Sequence, residues 1–197
     1  MTTKARIGVL GAGLMGHGIA QVFALAGHEV RIYDPSPAAL ESVRARIASN
    51  LRDLDEDESA ANRVTPAPTV AEAVSDADFV VEAALENLAV KQQLFAEVER
   101  HAPAHAILAS NTSVIPITQI MQGIADGART IGTHWWNPPF LVPLVEVIGT
   151  DRTSQATLDT TMALHESIGK TPVHVKKDVP GFVGNRLQHA LWREAIS

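Results

Sequence analysis

Three glycines stand where a short apolar run ends: Arg6 to Gly16 reads Arg-Ile-Gly-Val-Leu-Gly-Ala-Gly-Leu-Met-Gly, a G-x-G-x-x-G spacing. The pattern describes a strand entering a helix that can hold a pyrophosphate. Gly11 permits a tight turn, Gly13 lets bare backbone approach the phosphates, and Gly16 lets the helix lie close on the strand. The helix begins near Leu14, with Met15 and Gly16 in a first turn whose N–H groups and positive dipole end point at the anion. By itself the spacing equally describes a plain tight connection between strand and helix. Asp34 shifts the balance. It lies 18 residues past Gly16, close to the offset at which a carboxylate at the tip of the second strand bonds ribose hydroxyls. A carboxylate there repels a 2′-phosphate, so the pair of features selects NAD over NADP.

A nicotinamide cofactor calls for a base that takes the proton of a hydroxyl while hydride leaves its carbon, and His134 is the best placed of the eight histidines. It follows an apolar stretch, Arg129 to Thr133, read as a parallel strand, and ligands in open α/β sheets sit at the carboxyl ends of strands. Twelve residues on, Glu146 interrupts the apolar run Leu144 to Ile148, where a carboxylate is costly unless paired. His134 is one partner for it, and water at a sheet edge is the other reading. Ser110-Asn111-Thr112-Ser113 also follows an apolar run, so its hydroxyls and the Asn111 amide are expected to face the cleft. Thr112 or Ser113 also suits the cap of a helix starting near Ile115. Between His101 and His105 stands Pro103, which spoils an i,i+4 metal pair, and no metal site is expected.

The elements that must carry these residues follow from periodicity. Ile19, Val22, Phe23 and Ala26 mark a first helix, with Gly27 at its C-terminal end, and His28 to Tyr33 a second strand. Leu40, Val43, Ile47 and Leu51 mark a second helix, and the acidic cluster Asp53 to Glu58 its solvated end. Val64 to Thr69 is a short edge strand, limited by Pro66 and Pro68, and Ala71 to Val74 a short helix. Phe79 to Ala83 and Ala106 to Ala109 are buried strands flanking a helix over Ala89 to Arg100. Leu144 to Ile148 is a strand, Ser154 to Ile168 a helix and Pro172 to Val175 a last strand. The alternation implies an α/β fold of Rossmann type, a doubly wound, mostly parallel sheet with added strands. The domain split is 1–178 and 179–197. A final helical stretch opens at Asp178-Val179-Pro180-Gly181-Phe182 and carries Leu187, Ala190, Leu191 and Ala195 on one stripe. This apolar face is expected to lie against a further domain or another subunit.

Composition excludes several classes. With 197 residues, 46% apolar and 19% charged, the chain is an ordinary globular sequence. A net charge of −6 without a Lys/Arg block argues against nucleic-acid binding. No cysteine is present, so thiolate chemistry and disulfides are absent. A first strand starting by Arg6 leaves no room for a signal peptide, and no apolar stretch approaches a membrane span. Together these point to the cytoplasm and to no membrane partner.

Taken together, several runs resemble the L-3-hydroxyacyl-CoA dehydrogenase family. They are Gly11-Ala-Gly-Leu-Met-Gly-His-Gly-Ile-Ala, Val80-Val-Glu-Ala with Glu86-Asn87 and Lys91, Ser110-Asn-Thr-Ser, His134-x-x-Asn137-Pro138, Leu144-Val-Glu146-Val and Pro180-Gly-Phe-Val-Gly-Asn185-Arg186. The resemblance implies His134 as general base with Glu146 as its carboxylate partner, and Ser113 and Asn185 around the substrate oxygen. It implies Glu86, Lys91, Ser113 and Asn137 as cofactor contacts beside Gly11, Gly13, Leu14, Met15, Gly16 and Asp34. The reaction implied is oxidation of a 3-hydroxyacyl-CoA to the 3-keto compound with hydride passing to NAD, a step of fatty acid metabolism. It also implies a homodimer formed through a helical domain, with 179–197 expected as the start of that domain in truncated form. Where the acyl-CoA enzymes place a Ser and a Lys against CoA, spacing from Asp34 puts Asn50 and Asp57, and an acid there is unfavourable for a phosphate. His134-Trp-Trp-Asn-Pro-Pro and Asn185-Arg-Leu-Gln-His-Ala are similar to relatives acting on free 3-hydroxy acids, the L-gulonate and L-carnitine dehydrogenases. A cofactor-binding module without turnover is the reading from a different class.

Overall fold

A computed structural model describes residues 4–196. Met1 to Thr3 and Ser197, the outermost residues of the two spans above, lie outside it. Eight strands form one sheet in the order β3-β2-β1-β4-β5-β6-β7-β8. They are β1 (Arg6–Leu10), β2 (Glu29–Tyr33), β3 (Val64–Pro66), β4 (Phe79–Glu82), β5 (Ile107–Ser110), β6 (Thr130–Trp135), β7 (Leu144–Ile148) and β8 (Thr171–Val175). β3 through β6 in that order are parallel neighbours. β7 returns antiparallel to β6, and β8 runs parallel to β7. The proline-bearing β3 is one of the two edge strands, where a missing N–H costs no ladder bond.

The helices are α1 (Leu14–Leu25), α2 (Pro37–Asp53), α3 (Val70–Val74), α4 (Leu88–His101), α5 (Ile117–Ile120), α6 (Gln155–Ser167) and α7 (Gly184–Ile196). Side chains alternate across the sheet, so successive strand residues enter opposite layers. Ile7, Val9, Phe79, Val81, Val145 and Val147 pack with α1, α2 and the apolar side of α6. Leu10, Val80, Leu108 and Ile148 pack with α3, α4 and α5. Helices on both faces make the sheet doubly wound, as its period-free apolar strands imply.

Local chemistry sets the helix ends. Ser36, Thr69, Asn87 and Ser154 each accept a backbone N–H of the first turn that follows, which satisfies groups the helix leaves unpaired. Past α1, Gly27 has φ +89°, the left-handed geometry of a helix stop.

Four expectations need correction. β6 extends through Trp135, so His134 lies within the strand rather than after it. The acidic connector runs into a 3₁₀ turn, Glu58–Arg63, capped by the Asp57 carboxylate. The helix expected near Ile115 starts at Ile117, and its first amides are held by the Asp178 carboxylate, while Thr112 Oγ1 accepts only Ile115 N. The last helix begins at Gly184 instead of Asp178, because left-handed Gly181 and Phe182 turn the chain first.

Candidate active site

The glycine turn lies at the carboxyl ends of β1, β2 and β4. Gly11 has φ +108°, and a Cβ built on it falls 2.5 Å from Ala83 O, while one built on Gly16 falls 1.7 Å from Gly11 O. Neither position admits a side chain. Gly13 has nothing within 4 Å, so space is open above it for a ligand. Gly13 is the N-cap of α1 and contributes no side-chain bond, which leaves the amides of the first turn to an anion. Asp34 closes the turn from β2: Oδ2 accepts Ala12 N at 2.7 Å and Oδ1 accepts Ser36 N at 2.8 Å. A cavity of about 530 Å³ opens here, bordered by Gly11, Gly13, Asp34, Leu85 and Val90 among others. An open cradle, an uncapped helix start and a carboxylate at the strand tip suit a dinucleotide.

The antiparallel register of β6 and β7 places His134 opposite Glu146. His134 Nδ1 lies 2.8 Å from Glu146 Oε2, and both residues are buried. Water at a sheet edge, the other reading of Glu146, is thereby excluded. Oε1 of Glu146 accepts the amides of Val183 and Gly184, each at 2.9 Å. Burial pushes the Glu146 carboxyl up, and the bonds from His134, Gly184 and Val183 outweigh it, so it sits below the usual carboxylate range. The imidazole also has the rings of Trp136 and Phe182 beside it, at centroid distances of 5.1 and 5.8 Å.

Of Ser110 to Ser113, the first three are buried and turn inward, against the expectation that all four face the cleft. Ser110 donates to Glu82 at 2.6 Å, Asn111 Oδ1 accepts Trp135 N at 2.9 Å, and Thr112 donates to Glu86 at 2.5 Å. Ser113 is partly exposed. Its amide donates to Glu86, and its carbonyl accepts Asn185 Nδ2 at 2.9 Å. Asn185, at the start of α7, is thus brought to the Ser113 loop.

Lys91 is 1% exposed and its ammonium lies 2.6 Å from Glu82 and 3.2 Å from Glu86. It is enclosed by carboxylates rather than presented to the cleft. Partial burial raises the Glu86 carboxyl, but the Thr112 hydroxyl, the Lys91 charge and the Ser113 amide lower it further. Glu82 was not assigned a role from sequence. Its signal was a carboxylate ending the apolar run Phe79 to Val81, the same kind of signal that marked Glu146.

Asn137 is exposed on the loop after β6, which packs on α1: a Cβ built at Gly18 falls 3.0 Å from Pro139 Cδ. Lys170 donates to the Pro139 and Val142 carbonyls of this loop. Asn50 is engaged within the chain, donating to Gln21 Oε1 at 3.0 Å and lying 3.2 Å from His17 Nε2. Asp57 caps the 3₁₀ turn.

Residues 6–179 match the family described as 3-hydroxyacyl-CoA dehydrogenase, NAD binding domain. The chain belongs to the 3-hydroxyacyl-CoA dehydrogenase family. It carries that family's NAD-binding domain, and NAD is the cofactor that the turn, Asp34 and the cavity fit. An L-carnitine dehydrogenase of Streptomyces griseus is 39% identical over 195 residues, covering 97% of this chain and 58% of that protein. A probable 3-hydroxybutyryl-CoA dehydrogenase of Bacillus subtilis is 45% identical over 199 residues, covering 97% of this chain and 69% of that protein. Among solved structures, (S)-3-hydroxybutyryl-CoA dehydrogenase from Ralstonia eutropha superposes with a TM-score of 0.92 at 35% identity, over 98% of this chain and 70% of that one. The chain therefore spans about three-fifths of the L-carnitine dehydrogenase's length.

Proposed function

We propose that this protein serves an NAD-dependent oxidation of a secondary alcohol, a 3-hydroxyacyl substrate going to its 3-keto compound. The observation that carries the reading is the buried His134–Glu146 pair at 2.8 Å. With Glu146 ionised, His134 Nδ1 donates to it, which leaves the Nε2 lone pair free to take the substrate's hydroxyl proton. The imidazolium so formed is stabilised by the adjacent carboxylate. NAD, when bound, would supply the hydride acceptor. Gly11, Gly13 and the first-turn amides of Leu14, Met15 and Gly16 hold its pyrophosphate, and Asp34 its ribose. Glu86, Ser113 and Asn137 would contact it, with Lys91 holding Glu86. Ser113 and Asn185 orient the substrate oxygen and stabilise charge developing on it.

Replacing His134 with Gln is expected to lower turnover by about 10²–10⁴-fold while NAD affinity stays as in the parent. Unchanged turnover overturns the assignment of the base. The acyl-CoA thioester is the first reading of the substrate. A small free 3-hydroxy acid is the second, favoured by Asn50 being tied to Gln21 and His17 and by the acid at Asp57. A panel of 3-hydroxybutyryl-CoA, free 3-hydroxybutyrate, L-carnitine and L-gulonate separates the two. Tight NAD binding with no turnover on any of them points instead to a cofactor-binding module.

A further inference from the structure

The chain entering α7 is fastened to the carboxylate that holds His134. Glu146 gives Oε2 to the imidazole and Oε1 to the amides of Val183 and Gly184. Among its described residues α7 buries none, so the helix is placed at this end. Phe182 is fully buried, and Asn185 holds the Ser113 carbonyl. At Gly184 the fit is tight: a Cβ built there falls 2.3 Å from Trp136 Cζ2 and 3.0 Å from Cη2. The same indole lies 5.1 Å from the His134 ring. Any side chain at 184 must push α7 away from Glu146 or push Trp136 aside.

Resting on the reading of His134 and Glu146 as base and partner, we propose that Gly184 is a positioning residue. Its bare Cα lets the amides of Val183 and Gly184, at the entry to α7, reach Glu146 beside Trp136, so the seat of α7 sets the orientation of His134. Two N–H donors at a helix start stabilise the anionic carboxylate. An anionic Glu146 keeps the proton of the imidazole on Nδ1. Among the described residues, the titratable group bonded to Glu146 is His134 of β6, and the entry to α7 offers it uncharged amides. Withdrawal of α7 removes two of the three bonds recorded to the carboxylate, and with them the preference for one imidazole tautomer.

The test uses the chain as it stands and reads the two side chains directly. Carboxyl ¹³C titration of Glu146 and ring ¹⁵N shifts of His134 are recorded for the parent, Gly184→Ala, Trp136→Phe and the double variant. Gly184→Ala is expected to raise the Glu146 midpoint by about one pH unit and to mix the His134 tautomers, with NAD affinity retained. In the Trp136→Phe background, where the indole edge is gone, the same Ala is expected to change neither. A folded Gly184→Ala that titrates as the parent does overturns the proposal. Should that variant not fold, a double variant that folds with parental titration upholds it, and one that is shifted or unfolded overturns it. These readouts need no turnover, so they stand apart from the His134→Gln assay that tests the base.

Discussion

Lys91 shows what a single buried charge organises. Its ammonium joins Glu82, which also holds Ser110 and the Ala84 amide, to Glu86, which holds Thr112, Ser113 and Val114. The ends of β4 and β5 are thereby tied together beneath the Ser113 loop. Lys91→Met takes the cation from beside Glu82, which is 0% exposed, and breaking a buried pair from one side costs about 3–5 kcal/mol. Thermal melts are expected to show that loss, and adding Glu82→Gln is expected to recover most of it, because no uncompensated charge then stays inside. A Lys91→Met variant as stable as the parent contradicts this account of the network. The resemblance implies Lys91 as a cofactor contact, and spacing along α4 does not reveal that Glu82 lies beside it.

At the scale of elements, the β1–α1 turn makes two glycines essential for different reasons. Gly16 is internal to the fold, since a methyl there meets Gly11 O at 1.7 Å. Gly13 has open space, and its φ of −69° suits any residue. Gly16→Ala is expected to cost at least about 2 kcal/mol in urea melts and to weaken NAD as the turn distorts. Gly13→Ala is expected to stay within about 1 kcal/mol of the parent, yet to weaken NAD about tenfold or more, because its methyl fills the approach to the pyrophosphate. Fluorescence titration with NAD beside the melts distinguishes them, and a Gly13→Ala chain that binds NAD normally removes the phosphates from that cradle. The antiparallel β6–β7 pair is the second working element. Its register alone brings together two side chains 12 residues apart in sequence.

Across the whole molecule, acid sensitivity centres on His165. It is fully buried within ring contact of Phe23, Phe79 and Trp135. Burial drives its pKa from 6.5 down to about 4, with Lys170 adding to the effect and the Thr161 carbonyl opposing it. The unfolded chain therefore binds a proton that the native chain refuses between those values. This contribution is fully present above about pH 6.5 and is lost as pH falls toward 4, amounting to about 3 kcal/mol. His17 and His28 are lowered by burial in the same direction, so the parent's slope holds all three. Denaturant melts at pH 7 and pH 5 are expected to show a clear fall for the parent and a smaller one for His165→Leu. Equal slopes in the two chains would refute the assignment.

What the sequence determined by itself is what local chemistry enforces: the glycine turn, Asp34 at a strand tip, alternating apolar strands and helices, and the helix stop at Gly27. These depend on backbone conformation and near neighbours, which residue type dictates. The family, too, was legible, because its runs keep their order and spacing. Only the tertiary structure decided which way Ser110, Asn111 and Thr112 turn, that Lys91 is enclosed by Glu82 and Glu86, and that Glu146 serves both His134 and α7. Each of these is a buried polar group, whose partner must come from another strand or helix. That partner is set by register and by layer in the sheet, and neither is written in the order of residues around it.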